Sequence, residues 1–147
     1  MMNPATPAMR NLAAWLLAQE AVAGNPSEME MYTTFRVCDK LRRSLSTLVG
    51  AKGYRSLISR ALTLAKKEAP SLGKVQVKED GSLEWTGAVD ELQQGMDEAA
   101  KGGAVLVVQL LGLLVAFIGL AATLRLVRYL WPDAPFEGMN SKTEKGL

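Results

Sequence analysis

Residues 102–124 read GGAVLVVQLLGLLVAFIGLAATL, and this stretch decides how the rest of the chain is interpreted. The 23 residues carry no charge, and Gln109 and Thr123 are their only polar side chains. About 20 apolar residues are enough to cross the hydrocarbon core of a bilayer. A helix that is apolar all round is either a membrane span or a buried core helix. The sequence predicts a long apolar helix over 102–131, with a transmembrane span as the preferred interpretation and a buried core helix as the alternative.

The aromatic and basic residues that flank this stretch are typical of a membrane span. The charges on its two sides do not give the span a simple orientation. Tyr129 and Trp131 stand where an interfacial aromatic belt would lie, next to Arg125 and Arg128. The preceding flank is acidic, so the positive-inside rule places the C-terminus inside and the preceding residues outside. That orientation conflicts with the expected localisation, which is a membrane-associated protein whose soluble domain is cytoplasmic. A soluble cytoplasmic protein is the alternative.

One face of the predicted apolar helix carries small or hydrogen-bonding residues at steps of three and four. Small residues spaced in this way let two helix backbones approach closely in a membrane. The pattern predicts a helix-packing face, through which the chain associates with itself or accommodates its own neighbouring helices. The residues are Gln109, Gly112, Ala116, Gly119 and Thr123.

The first 70 residues have the pattern of three amphipathic helices. The first is predicted over 8–23, although a short signal peptide is an alternative there. The second begins near Asn25-Pro26 and ends at Gly50, and the third covers about 53–69 before Pro70. The short link between the second and third helices predicts an antiparallel helical hairpin.

A change of period marks the middle of the chain. Apolar and polar residues alternate on both sides of Asp80-Gly81, which predicts a β-hairpin over about 74–85. Because an isolated two-stranded hairpin is marginal, its apolar side must lean on the helices or on a partner. A polar connecting helix is predicted over 88–100, and the tail over 132–147 is polar.

Basic side chains are concentrated on the second and third predicted helices. Residues 34–69 contain nine Lys or Arg against two acids, whereas 74–101 contain three Lys against seven acids. The preferred interpretation is a solvated face that pairs with the acidic connector, and contact with anionic lipid headgroups is the alternative. Nucleic acid is disfavoured, because no aromatic residues are interleaved with the basic ones and no recognition motif is present. In the lipid alternative the residues that contact the anionic surface are Arg42, Arg43, Lys52, Arg55 and Arg60.

The composition argues against catalysis. The chain has no histidine and a single cysteine, Cys38, so a His-based general base, a His/Cys zinc site and an internal disulfide are excluded. Cys38 is interpreted as an apolar helix residue. No glycine-rich phosphate loop or nucleophile elbow is present. The sequence therefore predicts a protein that is not an enzyme and that holds no cofactor or metal.

These observations predict a mainly α fold: a bundle of amphipathic helices, one small β-hairpin and a long apolar C-terminal helix. Four regions result: 1–70 helical, 71–101 hairpin and connector, 102–131 apolar helix, and 132–147 tail. The preferred function is a membrane-anchored interaction or regulatory module, with a protein partner, self-association and the lipid bilayer as expected contacts. The alternatives are an oligomeric membrane-perturbing effector and a soluble regulator in which 102–131 is a buried core helix.

Overall fold

The computed structural model describes residues 7–23, 30–86 and 102–134. The fold is mainly helical with one small two-stranded antiparallel sheet, as predicted. The predicted Asn25-Pro26 cap, the connecting helix over 88–100 and the tail beyond residue 134 lie outside the described residues. The elements are α1 (Pro7–Ala23), α2 (Glu30–Glu68), a 3-10 helix (Pro70–Lys74), β1 (Val75–Val77), β2 (Leu83–Trp85), α3 (Gly103–Ile118) and α4 (Leu120–Leu130).

Helix α1 confirms the first predicted helix and packs against α2 and α3. Leu12 and Leu16 are fully buried one turn apart, and Met9 and Ala13 extend the same buried side. Residues three and four apart share one face of an α-helix, so this spacing gives α1 a continuous apolar contact with the core.

Helix α2 consists of two arms, 30–49 and 51–68, because Gly50 interrupts the helical backbone with φ 83° and ψ 161°. The arms fold back on each other, and the Tyr54 hydroxyl donates a hydrogen bond of 3.1 Å to the Cys38 carbonyl. The predicted end at Gly50 and the helical hairpin are thus confirmed. In the first arm Cys38 and Leu41 are buried, but Leu48, seven residues after Leu41 on the same helix face, is 66% exposed.

The β-hairpin is confirmed and leans on the helices. Val75 pairs with Trp85 and Val77 with Leu83, and the Gly81 N–H donates to the Lys78 carbonyl, so the turn covers residues 79–81 and includes the predicted Asp80-Gly81. Gly81 has φ 89°, a backbone conformation that favours glycine, and a Cβ there would come within 2.9 Å of the Tyr54 ring. Val75 is fully buried, which supplies the support that a two-stranded hairpin needs.

Helix α3 lies at the centre of the fold, where it packs most extensively against α2 and also against α1. Its side chains are buried almost continuously from Leu106 to Leu111. The prediction of one continuous helix over 102–131 is wrong, because Gly119 (φ 92°, ψ 159°) separates α3 from α4. Within the ranges that the structure describes, no helix is both long and apolar enough to cross a membrane.

The two glycine turns lie at the same end of the bundle. Helix α3 begins at the open end of the α2 hairpin, where Gly103 touches Thr34 and a Cβ on Gly102 would come within 2.9 Å of Ala69. Sixteen residues at 1.5 Å each carry α3 about 24 Å towards Gly50. Helix α4 then returns from Gly119 towards the middle of α2.

A buried carboxylate closes the bundle. Glu20 of α1 is 3% exposed, and it accepts hydrogen bonds from the Nζ of Lys40 and, at 2.9 Å, from the indole Nε1 of Trp131. Arg36 donates a further hydrogen bond to the Glu20 backbone carbonyl at 3.3 Å. The Lys40 ammonium also lies 5.5 Å from the centre of the Trp131 ring. Glu20 therefore joins α1, α2 and the residue that follows α4.

Candidate functional site

The first candidate site is the end of the bundle where both glycine turns lie. We define the turn end as residues 47–52 and 116–122, since most of these residues are exposed. Leu48 and Phe117, each two residues before its glycine, are 66% and 60% exposed, and Leu120 is 37% exposed. Of the four large apolar side chains that are exposed in the described part of the chain, these three belong to the turn end, and the fourth is Tyr129. A grouped set of exposed apolar side chains marks an interaction surface.

The turn end is surrounded by basic rather than acidic residues. Residues 40–67, which include the first turn, contain eight Lys or Arg and no Asp or Glu. Residues 103–132, which include the second turn, contain two Arg and again no acid. Lys52 lies within the turn end and Arg55 follows it by one helical turn, and both side chains are exposed. The surface is therefore apolar at its tip and cationic around it.

Two acidic residues of the β-hairpin turn lie on the side of the α2 hairpin that carries Tyr54 and Arg42. The turn of the β-hairpin lies against Tyr54 and the aliphatic part of Arg42, since a Cβ on Gly81 would touch both side chains. Glu79 and Asp80 are exposed on that turn. A negatively charged surface that met the turn end would therefore approach from the side away from the β-hairpin.

The five basic residues singled out in the sequence fall into two groups. Arg42 and Arg43 both pair with Asp39, at 2.6 Å and 3.0 Å between guanidinium nitrogen and carboxylate oxygen. Lys52, Arg55 and Arg60 are exposed on the second arm of α2. Contact with an anionic surface stays a prediction for all five. Arg42 is the least accessible of them, since 24% of its side chain is exposed against 74% for Arg43.

The predicted helix-packing residues do not share one helix. Gln109 is buried in α3 and Gly112 is partly buried, whereas Ala116 is exposed at the turn end. Gly119 forms the turn itself, and the Thr123 side chain, 1% exposed, donates a hydrogen bond of 2.8 Å to the Gly119 carbonyl. The stripe is thus divided between α3 and α4, and its role in self-association stays a prediction.

A cavity of about 260 Å³ is the second candidate site. It lies between the first arm of α2, the start of the second arm and the turn of the β-hairpin. Arg42 and Asp39 meet at its wall, where the Nε and Nη2 atoms of Arg42 both donate to Oδ1 of Asp39. Its lining comprises Phe35, Arg36, Cys38, Asp39, Arg42, Tyr54, Gly81, Ser82 and Leu83.

Cys38 confirms its interpretation as an apolar helix residue, since it is 2% exposed. Burial, with a smaller contribution from neighbouring Asp39, raises the pKa of its thiol to about 12. Burial likewise raises the pKa of Tyr54 well above its usual range. Both groups are therefore neutral at physiological pH, and Cys38 is not arranged as a nucleophile.

We expect Cys38 to resist alkylation in the folded protein. At pH 8, raising the thiol pKa from 9.0 to about 12 lowers the thiolate fraction roughly 1,000-fold. Iodoacetamide should modify the native protein at least about 100-fold more slowly than the urea-unfolded chain, as followed by mass spectrometry. Similar rates in the two states would show that the thiol is accessible and would contradict its burial.

Metal binding finds no support in the described ranges, where no group of three or more His, Cys, Asp or Glu side chains could hold an ion. No protein-family model, curated protein or solved structure matches this chain.

Three residues of the turn end, Leu48, Phe117 and Leu120, were not identified from sequence. Periodicity alone places Leu48 on the buried face of α2 and Phe117 within a uniformly apolar helix. A usable signal is the repeated pattern of two large apolar residues followed by glycine, Leu48-Val49-Gly50 and Phe117-Ile118-Gly119. The cavity has no such local signal, because its lining comes from segments that are distant in sequence.

Proposed function

We propose that this protein is a non-enzymatic helical module that docks peripherally on anionic membranes through its turn end. The observation that carries the proposal is the grouping of exposed Leu48, Phe117 and Leu120 at one end of the bundle, in segments that contain basic but no acidic residues. This mode of attachment keeps the membrane association and the interaction role expected from the sequence, but it requires no spanning helix.

The apolar contribution comes from side chains that are already exposed in the folded protein. Fully burying a leucine or phenylalanine side chain gains about 1.5–3 kcal/mol. Side chains that enter only the interface between headgroups and acyl chains gain part of this. Three such side chains at one end favour docking without any rearrangement of the core.

The electrostatic contribution comes from the cations around the tip. A Lys or Arg close to an anionic leaflet contributes about 1 kcal/mol. Lys52 lies within the turn end and Arg55 one turn further, so both reach the headgroups when the apolar tip is inserted. Because exposed charges are screened by salt, docking should weaken as ionic strength rises.

Vesicle flotation with the full chain tests the proposal. We expect binding to vesicles of phosphatidylcholine with about 30% phosphatidylserine, and much weaker binding to pure phosphatidylcholine. The double substitution Leu48→Ser and Phe117→Ser should lower the partition coefficient by about 10-fold or more, as should Lys52→Gln with Arg55→Gln.

Matched controls come from the same helices. Tyr129→Ser removes an exposed aromatic residue that lies outside the turn end, and Lys66→Gln with Lys67→Gln removes two charges at the far end of α2. Both controls should change binding by less than about 3-fold. Equal losses in the control and turn-end variants, or no flotation with anionic vesicles, would overturn the proposal.

Two further measurements distinguish peripheral docking from two other roles for the turn end, which are membrane perturbation and dimerisation. Leakage of a trapped dye at protein concentrations that saturate the vesicles would favour the membrane-perturbing effector instead of peripheral docking. Dimerisation without lipid in sedimentation velocity, abolished by Leu48→Ser with Phe117→Ser, would show that a second copy covers the turn end. Either result would contradict the proposal in its present form.

A further inference from the structure

The cavity between α2 and the β-hairpin has a different chemistry from the turn end. Its lining includes the apolar side chains of Phe35 and Leu83 and the aromatic Tyr54, whereas Arg42 contributes a guanidinium. Its volume of about 260 Å³ is close to the lower limit of ordinary ligand pockets. A few polar groups in a mostly apolar concavity are the usual composition of a small-molecule site.

Arg42 is held in place by a second residue. Its Nε and Nη2 atoms donate to Oδ1 of Asp39 at 2.9 and 2.6 Å, which fixes the plane of the guanidinium. These two bonds leave Nη1 without a hydrogen-bond partner among the residues that the structure describes. An arginine presents its donors in a rigid planar fork, so one edge can be anchored while another recognises a carboxylate.

Two carboxylates lie at or beside the cavity, Asp39 in its lining and Asp80 on the hairpin turn, and both interact with the Arg42 guanidinium. The Cys38 thiol stays protonated, and the Tyr54 hydroxyl donates to the Cys38 carbonyl. Asp39 is neutralised by Arg42 and also by Arg43, whose Nη2 lies 3.0 Å from Oδ2 of Asp39. The hydrogen bond to Asp39 also raises the pKa of Arg42, so its positive charge is permanent.

From this arrangement we propose that the cavity binds a small carboxylic acid with an apolar body. The carboxylate pairs with the Nη1 edge of Arg42, and the apolar body lies against Phe35, Tyr54 and Leu83. The turn at Gly81 and Ser82 forms the roof, and the Ser82 hydroxyl is held in place by its 2.6 Å hydrogen bond to Asp80. This site is distinct from the turn end and does not depend on lipid docking.

Phenylacetate and its neutral isostere phenylacetamide provide a matched pair of probes. We expect phenylacetate to bind the full chain with a Kd of about 1 mM, a value that ten non-hydrogen atoms can supply. Phenylacetamide should bind about 10-fold more weakly, because it cannot form the charge-assisted pair. Amide shifts in a ¹H–¹⁵N NMR titration should be centred on Gly81, Ser82 and Arg42.

An arginine outside the cavity gives the mutational control. Arg42→Gln should weaken phenylacetate binding about 10-fold, whereas Arg60→Gln, which removes an exposed charge on the second arm of α2, should change it less than about 2-fold. Arg42→Lys retains the charge but not the fork, so an intermediate affinity is expected. A thermal unfolding curve for each variant separates loss of the site from loss of the fold.

Three results would overturn the inference. These are an absence of shifts with about 10 mM phenylacetate, equal affinity for acid and amide, and an unchanged affinity in a folded Arg42→Gln variant. Shifts centred on the turn end instead of the hairpin would also contradict the cavity as the site.

Discussion

Replacing Glu20 with alanine will lower the free energy of unfolding by about 3 kcal/mol, because the substitution leaves one buried donor and two partly buried cations without their acceptor. Trp131 is 5% exposed and loses the acceptor of its indole N–H. Lys40 and Arg36 lose their counter-ion, although both retain partial exposure, with 42% and 30% of each side chain accessible. Chemical denaturation measures the loss, and the melting temperature should fall by roughly 6–12 °C.

Graded variants distinguish a polar network from a simple packing contact. Glu20→Gln keeps the shape and one acceptor oxygen for Trp131, so it should cost about half as much as alanine. Asp39→Ala breaks a more exposed ion pair of the same kind and should cost less than about 1 kcal/mol. A Glu20→Ala variant as stable as Asp39→Ala would show that the buried network contributes little.

Replacing Gly119 with alanine will cost about 2–3 kcal/mol. Its φ of 92° and ψ of 159° lie in a region that is accessible almost solely to glycine. Gly119→Asn should not recover stability, because asparagine tolerates the left-handed helical region, where ψ is near 45°, and not this one. Gly50→Ala should behave in the same way, because its φ of 83° and ψ of 161° are nearly identical.

A glycine without this constraint provides the control. Gly73 has no positive φ, and a Cβ there would meet nothing within 4 Å. Gly73→Ala should therefore change stability by less than about 1 kcal/mol, and a small gain is expected because alanine restricts the unfolded chain. Urea titrations of Gly119→Ala and Gly73→Ala make the comparison, and equal stabilities would contradict the strain assigned to Gly119.

Much of the fold could be predicted from the sequence because its signals are local. The periodicity of α1 and of the α2 arms identified the buried faces, and Asp80-Gly81 identified the β-turn. The break at Gly119 was missed, since glycine within an apolar run is compatible with a continuous helix in a membrane or a core. Gly50 was recognised more readily because it separates two amphipathic patterns that are each polar on one side.

The buried hydrogen bond between Glu20 and Trp131 could not be predicted from sequence patterns. Periodicity gives no signal for Glu20, and the sequence predicts Trp131 at a membrane interface. The structure instead buries Trp131 and joins it to Glu20 across 111 positions of sequence. Such a pairing depends on how α1 and α4 are placed around α2, and no local spacing encodes it.

At the turn end, the basic residues could be predicted from the sequence, but the exposed apolar residues could not. Lys52 and Arg55 are identified by composition, whereas the exposure of Leu48 depends on the α2 hairpin extending to the surface at its tip. The cavity depends on contact between Arg42 and a turn almost 40 positions further along the chain.

The single-residue turns at Gly50 and Gly119 also fix the relative height of the helices they join. A connection of one residue cannot lengthen to absorb a shift of either helix. A shift by one residue would also rotate the buried face of that helix by about 100°. Leu48 and Phe117, each two positions before a glycine, are therefore held at set levels with respect to the helices behind them. A planar surface that meets this end of the bundle touches both side chains at a depth determined by the two turns.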